Sequence, residues 1–255
     1  MKKPLKKIKT YIDFFLNKIN YFHKNDFLKK DYNNFIEGIL ISQTFKQKEL
    51  KIIQVGANDG VKGDPLYEFI ARFKNKIKLL AIEPQEKPFT KLKKNYSNLR
   101  NIYFSQKSVG DGTEKKFYSF NENYSKFHNT NNTFDRHSSF EKKHLVKRLL
   151  NNNIKNDEID NFINETIIKS YKLETIINDI DENFSETSFL QIDAEGYDDE
   201  VIKNSSIEKY KFQFINYEFK NLSEERLYKL HNFLKQNGYE IIRWRKADEL
   251  AYLVK

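Results

Sequence analysis

Residues 50–60 read Leu50-Lys-Ile-Ile-Gln-Val-Gly-Ala-Asn-Asp-Gly60: an apolar run of strand length, then a turn with glycines at both ends and Asn58 and Asp59 between them. A second apolar run, residues 78–82, ends in Glu83 a little over twenty residues beyond the turn. When the first two strands of a sheet lie side by side, that offset puts a carboxylate where it can accept both hydroxyls of a ribose. The pair points to an adenosine-containing ligand. A pyrophosphate asks for Gly-x-Gly-x-x-Gly, whereas Gly56 and Gly60 bracket Ala57, Asn58 and Asp59, so a dinucleotide fits less well.

Strand and helix patterns alternate from there. Residues 50–55, 78–82, 102–109, 115–120, 166–171, 188–192, 212–217, 239–244 and 250–254 have strand composition. Helices are predicted from Leu66, over 88–96 and 173–180, from Asp198, and between a cap at Ser223 and a stop at Gly238. Pro65 suits a first helical position. The last two strands are too close for a helical crossover, so they are expected to pair antiparallel. The predicted fold is a Rossmann-like α/β domain, a mostly parallel seven-stranded sheet with a C-terminal antiparallel hairpin. That hairpin separates class I methyltransferases from dinucleotide dehydrogenases.

The chain of 255 residues is long enough for one large core, and two full domains are not expected. It has no Cys, and its single Met is Met1, which excludes disulfide frameworks, zinc-thiolate sites, iron-sulfur clusters and a thiol nucleophile. The basic start is followed by an apolar stretch interrupted by Asp13 and Lys18, a poor export signal, and no apolar run reaches membrane-spanning length. A cytoplasmic protein is the expectation. A net charge of +9 permits anionic partners, yet abundant Lys, Asn, Ile, Phe and Tyr are also what an AT-rich genome yields without selection for binding.

Residues 1–48 read as a basic N-terminal helical extension, with apolar positions such as Ile12, Phe15, Ile19, Phe35 and Ile39 at helical spacing. Five lysines within the first nine residues read as a solvated end, with weak contact to a membrane surface as the alternative. No subunit arrangement is legible. Residues 49–255 form the main domain, interrupted at about 121–160 by a polar insertion with a helical patch near 140–150. An insertion of that size in an α/β unit reads as a lid over the acceptor.

Three blocks, Val55-Gly-Ala-Asn-Asp-Gly60, Ala81-Ile-Glu-Pro84 and Phe189-Leu-Gln-Ile-Asp-Ala-Glu-Gly-Tyr197, resemble the FkbM family of methyltransferases over residues 50–254. The Asp-x-Glu-Gly block is the most specific of them. The resemblance implies S-adenosyl-L-methionine as cofactor and methyl transfer to a hydroxyl of a sugar or polyketide. Gln191 and Ala194 stand where the family more usually has Lys and Val.

By the resemblance and by position, Gly56, Ala57, Asn58, Asp59 and Gly60 would receive the methionine half of the cofactor, and Glu83, beside Pro84, its ribose. Ser108 and Val109, in a stretch running on to Asp111, would flank adenine, although a simple turn explains them nearly as well. Asp64 would face the sulfonium or ammonium, or serve as a helix cap before Pro65.

Asp193 ends a buried run at the carboxyl edge of a central strand, where ligands of open α/β sheets gather. It is predicted to orient the acceptor hydroxyl, take its proton, or join Glu218 in holding Mg²⁺ or Mn²⁺. Glu195 reads as structural. Three histidines within seventeen residues of the insertion are further base candidates, His144 first, then His137, then His128.

The expected substrate is therefore a small sugar or nucleotide sugar, and no nucleic acid. RNA ribose methylation is the alternative; base-amine methylation is disfavoured because Asp-Ala-Glu-Gly stands where an Asn/Asp-Pro-Pro-aromatic motif would be needed. A non-catalytic scaffold is the third reading, against which three intact strand-end motifs stand.

Overall fold

The computed structural model describes residues 32–128, 137–180 and 183–254. Most of the predicted N-terminal extension lies outside the described residues; its last part is α1 (Tyr32–Thr44). Next come β1 (Leu50–Val55), α2 (Tyr67–Phe73), β2 (Ile77–Ile82), α3 (Glu86–Asn95), β3 (Ile102–Ser105), β4 (Ser108–Val109) and β5 (Glu114–Phe120). The insertion supplies α4 (Glu122–His128), α5 (Lys142–Asn151) and a 3₁₀ turn (Asn156–Phe162). The chain continues through β6 (Ile163–Tyr171), α6 (Leu173–Asp179), β7 (Phe189–Ile192), α7 (Asp198–Lys203), α8 (Ile207–Tyr210), β8 (Phe214–Glu218), α9 (Glu224–Gln236), β9 (Tyr239–Arg243) and β10 (Asp248–Leu253).

The main sheet has the order β3-β2-β1-β7-β8-β10-β9, and β10 runs antiparallel to both neighbours. The other pairings are parallel, as predicted for this fold. Successive strand side chains point to opposite faces. Hence Ile53 and Val55 pack with α6, α7, α8 and α9, while Leu50 and Ile52 pack with α1, α2 and α3. β2 is buried at all six positions, as a strand covered on both faces must be. Phe69, Phe189 and Phe212 are almost wholly buried in these layers, and truncating any of them to Ala would cost about 3–5 kcal/mol.

The connection direction reverses between β1 and β7, which opens a crevice at their carboxyl ends. Across those ends runs a polar row, Gln54 on β1, Gln191 on β7 and Asn216 on β8, in direct register. Its amides satisfy one another: Asn216 Nδ2 donates to Gln191 Oε1 at 3.0 Å, and Trp244 Nε1 donates to Asn216 Oδ1 at 2.8 Å.

Two expectations are corrected here. Residues 102–109 do not form one strand: the main-sheet pairing ends at Ser105, and Ser108 and Val109 pair instead with Ser170 and Tyr171 of β6. Their backbone groups find partners in a second sheet, ordered β4-β6-β5. Nor is the insertion simply polar. Phe120, Tyr124, Leu145, Leu149, Ile154 and Ile159 form a small separate core that anchors it. No helix among the described residues is long and apolar enough to cross a membrane.

Candidate active site

The turn after β1 is built on left-handed backbone, with φ of +78° at Gly56, +48° at Asn58 and +72° at Gly60. Asn58 tolerates that conformation because its short amide bonds locally; its Oδ1 accepts from Asp59 N at 2.8 Å. Asp59 Oδ1 in turn accepts from the backbone N–H groups of Val61 and Lys62, both at 3.0 Å. Glu83 is only 3 % exposed, and its two oxygens accept from Asn58 N at 3.0 Å and Gln85 N at 2.9 Å. One carboxylate thus ties the first glycine turn to the end of β2.

Asp64 both bonds the backbone ahead of α2 and lines the cleft. Its Oδ1 accepts from Leu66 N at 2.7 Å, an Asx turn leading into α2, and its Oδ2 accepts from Gln54 Nε2 at 2.9 Å. In the cleft, burial raises its pKa against the lowering effect of those bonds. Gln54, 3 % exposed, keeps its Oε1 without a donor among the described residues.

Asp193 stands at the tip of β7, its backbone N–H bonded to Val55 O. None of the described residues donates a hydrogen bond to its carboxylate. The side chain is exposed, but onto a cleft walled by protein; that enclosure, and then the charges of Glu195, Asp198, Glu218 and Asp248, hold its pKa well above the ordinary aspartate range.

The loop beyond is fixed by a residue the sequence did not mark as functional. Asp198 is wholly buried, its Oδ1 accepting from Glu218 N at 3.1 Å and its Oδ2 from Gly196 N at 3.3 Å. Burial, then the Glu218 charge, raises its pKa to about 8. The sequence marks Asp198 only as a helix start.

The insertion reaches the cleft through residues 137–141. Ser138 Oγ donates to Gln85 Oε1, and Ser139 Oγ donates to Glu195 O, both at 2.8 Å. His137 Nδ1 lies 3.0 Å from Glu195 Oε1. Arg226 on α9 holds the arrangement from behind, donating to Gly196 O at 2.9 Å, to Asp199 and to Glu141. Phe117, Phe140 and Tyr197 form an aromatic wall, with Phe140 in contact with both other rings. Lys115 donates to the Tyr197 hydroxyl at 2.7 Å. Tyr197 closes the Asp-x-Glu-Gly block, but no sequence motif marks Phe117 or Phe140, because the wall is assembled from three separate segments.

Together these groups enclose a cleft of about 210 Å³ lined by Gly56, Ala57, Asn58, Asp59, Asp64, Glu83, Pro84, Ser108, Val109 and Asp193, all predicted at the sequence level. Gly60 lies behind it: its carbonyl accepts from the Tyr96 hydroxyl at 2.7 Å. Asp111 is turned to Lys115 and Thr113.

The histidine order is reversed by placement. His137 lines the cleft, whereas the His144 ring packs on Gly196 and bonds Glu141 at 3.0 Å; burial lowers its pKa more than Glu141 raises it. The side chain of His128 lies outside the described residues. Asp193 and Glu218 do not form the predicted cation pair. Both Glu218 oxygens are taken, by Lys220 at 2.9 Å and Asn221 at 2.5 Å, and no cluster of three or more ligating side chains that could hold a metal exists among the described residues.

A sheet of this order, with its antiparallel penultimate strand, a glycine turn on β1, an acid on β2 and a cleft over the β1/β7 crevice, defines a Rossmann-like class I methyltransferase. Residues 54–241 match the methyltransferase FkbM domain, and the chain belongs to that family. Among curated proteins, none matches it. Similar solved structures include precorrin-6y C5,15-methyltransferase from Geobacter metallireducens, 10 % identical over 85 % of this chain and 87 % of that one, with a TM-score of 0.41. A fibrillarin pre-rRNA processing protein from Methanococcus jannaschii is 13 % identical over 81 % and 67 %, TM-score 0.42. A human methyltransferase 10 domain containing protein is 13 % identical over 91 % and 84 %, TM-score 0.42.

Proposed function

We propose that this methyltransferase uses S-adenosyl-L-methionine to methylate a hydroxyl of a sugar, nucleotide-linked or part of a glycan such as a surface polysaccharide. The observation that carries the reading is the Asp193 carboxylate, left without a hydrogen-bond donor at the floor of the cleft and with its pKa raised. An alcohol is a poor nucleophile near neutral pH and needs a positioned base, and a carboxylate of raised pKa serves better than an ordinary one.

The cleft residues fit the cofactor. Glu83 is preset by two backbone N–H bonds to receive ribose hydroxyls, and the wall of Phe117, Phe140 and Tyr197 offers flat apolar faces to an adenine. Asp64 and Asp193 bring negative charge toward a sulfonium and an ammonium. When bound, the cofactor supplies an electrophilic methyl carbon whose former bonding pair stays on sulfur. Asp193 accepts the proton that the acceptor hydroxyl gives up as its oxygen bonds that carbon. His137, held to Glu195, closes the lid over the cleft and shields the exchange from water.

Calorimetry with S-adenosylmethionine, followed by transfer of its labelled methyl group to free sugars, nucleotide sugars and RNA, tests the proposal. Binding with label in a sugar ether supports it. Absence of binding, or label in RNA ribose alone, rejects it.

A further inference from the structure

On the far side of Asp193 lies a second cavity of about 440 Å³, within the range of small-molecule sites, roughly 300–1,000 Å³. It shares Gly63, Asp64, Pro65, Gln191 and Asp193 with the cofactor cleft, so whatever fills it meets the reacting end of that cleft. Its lining carries five carboxylates, those of Asp64, Glu68, Asp193, Glu218 and Asp248, against the single guanidinium of Arg245. The chain's net charge of +9 therefore lies elsewhere.

The hydrogen-bonding capacity of this region is equally one-sided. The amides of Gln191 and Asn216 in its floor are already used on each other and on Ile192 O and Trp244. What remains open are acceptors. Among the described residues Asp193 receives no donor, the buried Gln54 Oε1 in the adjoining cleft is unpartnered, and Asp248 Oδ2 has no hydrogen bond, only the Arg245 side chain 3.1 Å away. Burial raises the pKa of Asp248 over the opposing charge of Arg245, with Glu218 adding to the rise, and burial with the neighbouring carboxylates raises that of Asp193.

We propose that this cavity is the acceptor pocket, and that its acceptor is a polyhydroxylated sugar bearing a free amino group rather than a nucleotide diphosphate sugar. The inference rests on the sugar-methylation reading and narrows it. A bound cofactor offsets charge at Asp64 and Asp193; beyond the shared border Glu218 is paired with Lys220 and Asp248 with Arg245, while Glu68 has no ion pair among the described residues, so the wall stays net acidic toward the acceptor. An ammonium there relieves the carboxylates' mutual repulsion, and hydroxyls donate to the open acceptors. A diphosphate would add repulsion, with the Arg245 guanidinium its only charged donor in the lining.

The test uses full-length protein saturated with S-adenosylhomocysteine, and calorimetry with methyl glucosaminide, kanamycin, methyl N-acetylglucosaminide and UDP-N-acetylglucosamine. The amino sugars should bind at least tenfold more tightly than the neutral and nucleotide-linked probes. Asp248→Asn and, separately, the surface change Glu68→Gln should each narrow that gap while leaving S-adenosylhomocysteine affinity unchanged. Equal binding of neutral probes, preference for the nucleotide sugar, or no binding of either amino sugar overturns the inference. Failure of S-adenosylhomocysteine itself to bind is a different result, which removes the cofactor assignment instead.

Discussion

Gly56 and Asp193 approach so closely that a Cβ on Gly56 would lie 1.9 Å from the carbonyl oxygen of Asp193. The glycine turn after β1 and the tip of β7 are thus in backbone contact, and the contact exists because residue 56 has no side chain. Gly56→Ala meets both a clash with backbone and a φ of +78°. It should lose at least about 2 kcal/mol in denaturant unfolding and all measurable cofactor binding. A stable, cofactor-binding variant would show that the two segments separate freely.

Glu83→Ala removes the acceptor for two backbone N–H groups as well as the proposed ribose contact. Cofactor affinity by calorimetry should fall by at least about tenfold, since hydrogen bonds to a charged group contribute about 1.5–3 kcal/mol. Unchanged affinity would move the ribose elsewhere.

Asp193→Asn should lower kcat by about 10²-fold or more with cofactor affinity largely kept. The wild-type pH–rate profile carries a second signature. A base must be unprotonated, so kcat/KM for the cofactor, which reports the free enzyme, falls as pH drops through its pKa, and because that pKa is raised the acid limb should lie above the value near 3.9 of a free aspartate. The Asn variant should lack this limb.

The buried Asp198 gives a stability prediction of definite sign. Its folded pKa, about 8, exceeds the unfolded value, so the folded state holds the proton more tightly. The stabilisation is complete below about pH 4 and is lost as pH rises from there to about 8. Asp198→Asn should flatten that decline when unfolding free energy is measured across the window. An unaltered slope would show that another group titrates.

Arg226 joins Glu141 of the insertion to the loop around Gly196 and to Asp199, whose side chain is fully buried. Arg226→Met leaves Asp199 with Lys203 alone, and should cost about 2–4 kcal/mol in unfolding. It should also raise KM more than it lowers kcat, because the lid loses its anchor while Asp193 is untouched.

The glycine turn, Glu83, Asp193 and the closing hairpin were legible in the sequence because each is a local requirement: a left-handed turn, an acid at a fixed offset, a connection too short for a helix. The strand at 102–109 misled because edge pairing is a contest between sheets, and β6 took its second half. His144 misled in the same way. Its position in the chain is in the lid, but its ring is turned to Gly196.

The linear order of residues determined the fold and most of the residues that line the cleft, since strand periodicity and turn chemistry act over a few residues. Tertiary packing alone decided which histidine reaches the cleft, that Phe117, Phe140 and Tyr197 share one wall, that Asp198 is buried, and that five carboxylates surround the cavity beyond Asp193. Those features depend on side chains far apart in the chain meeting in a low-dielectric interior, where charge and hydrogen-bond capacity are set by neighbours that no local pattern names.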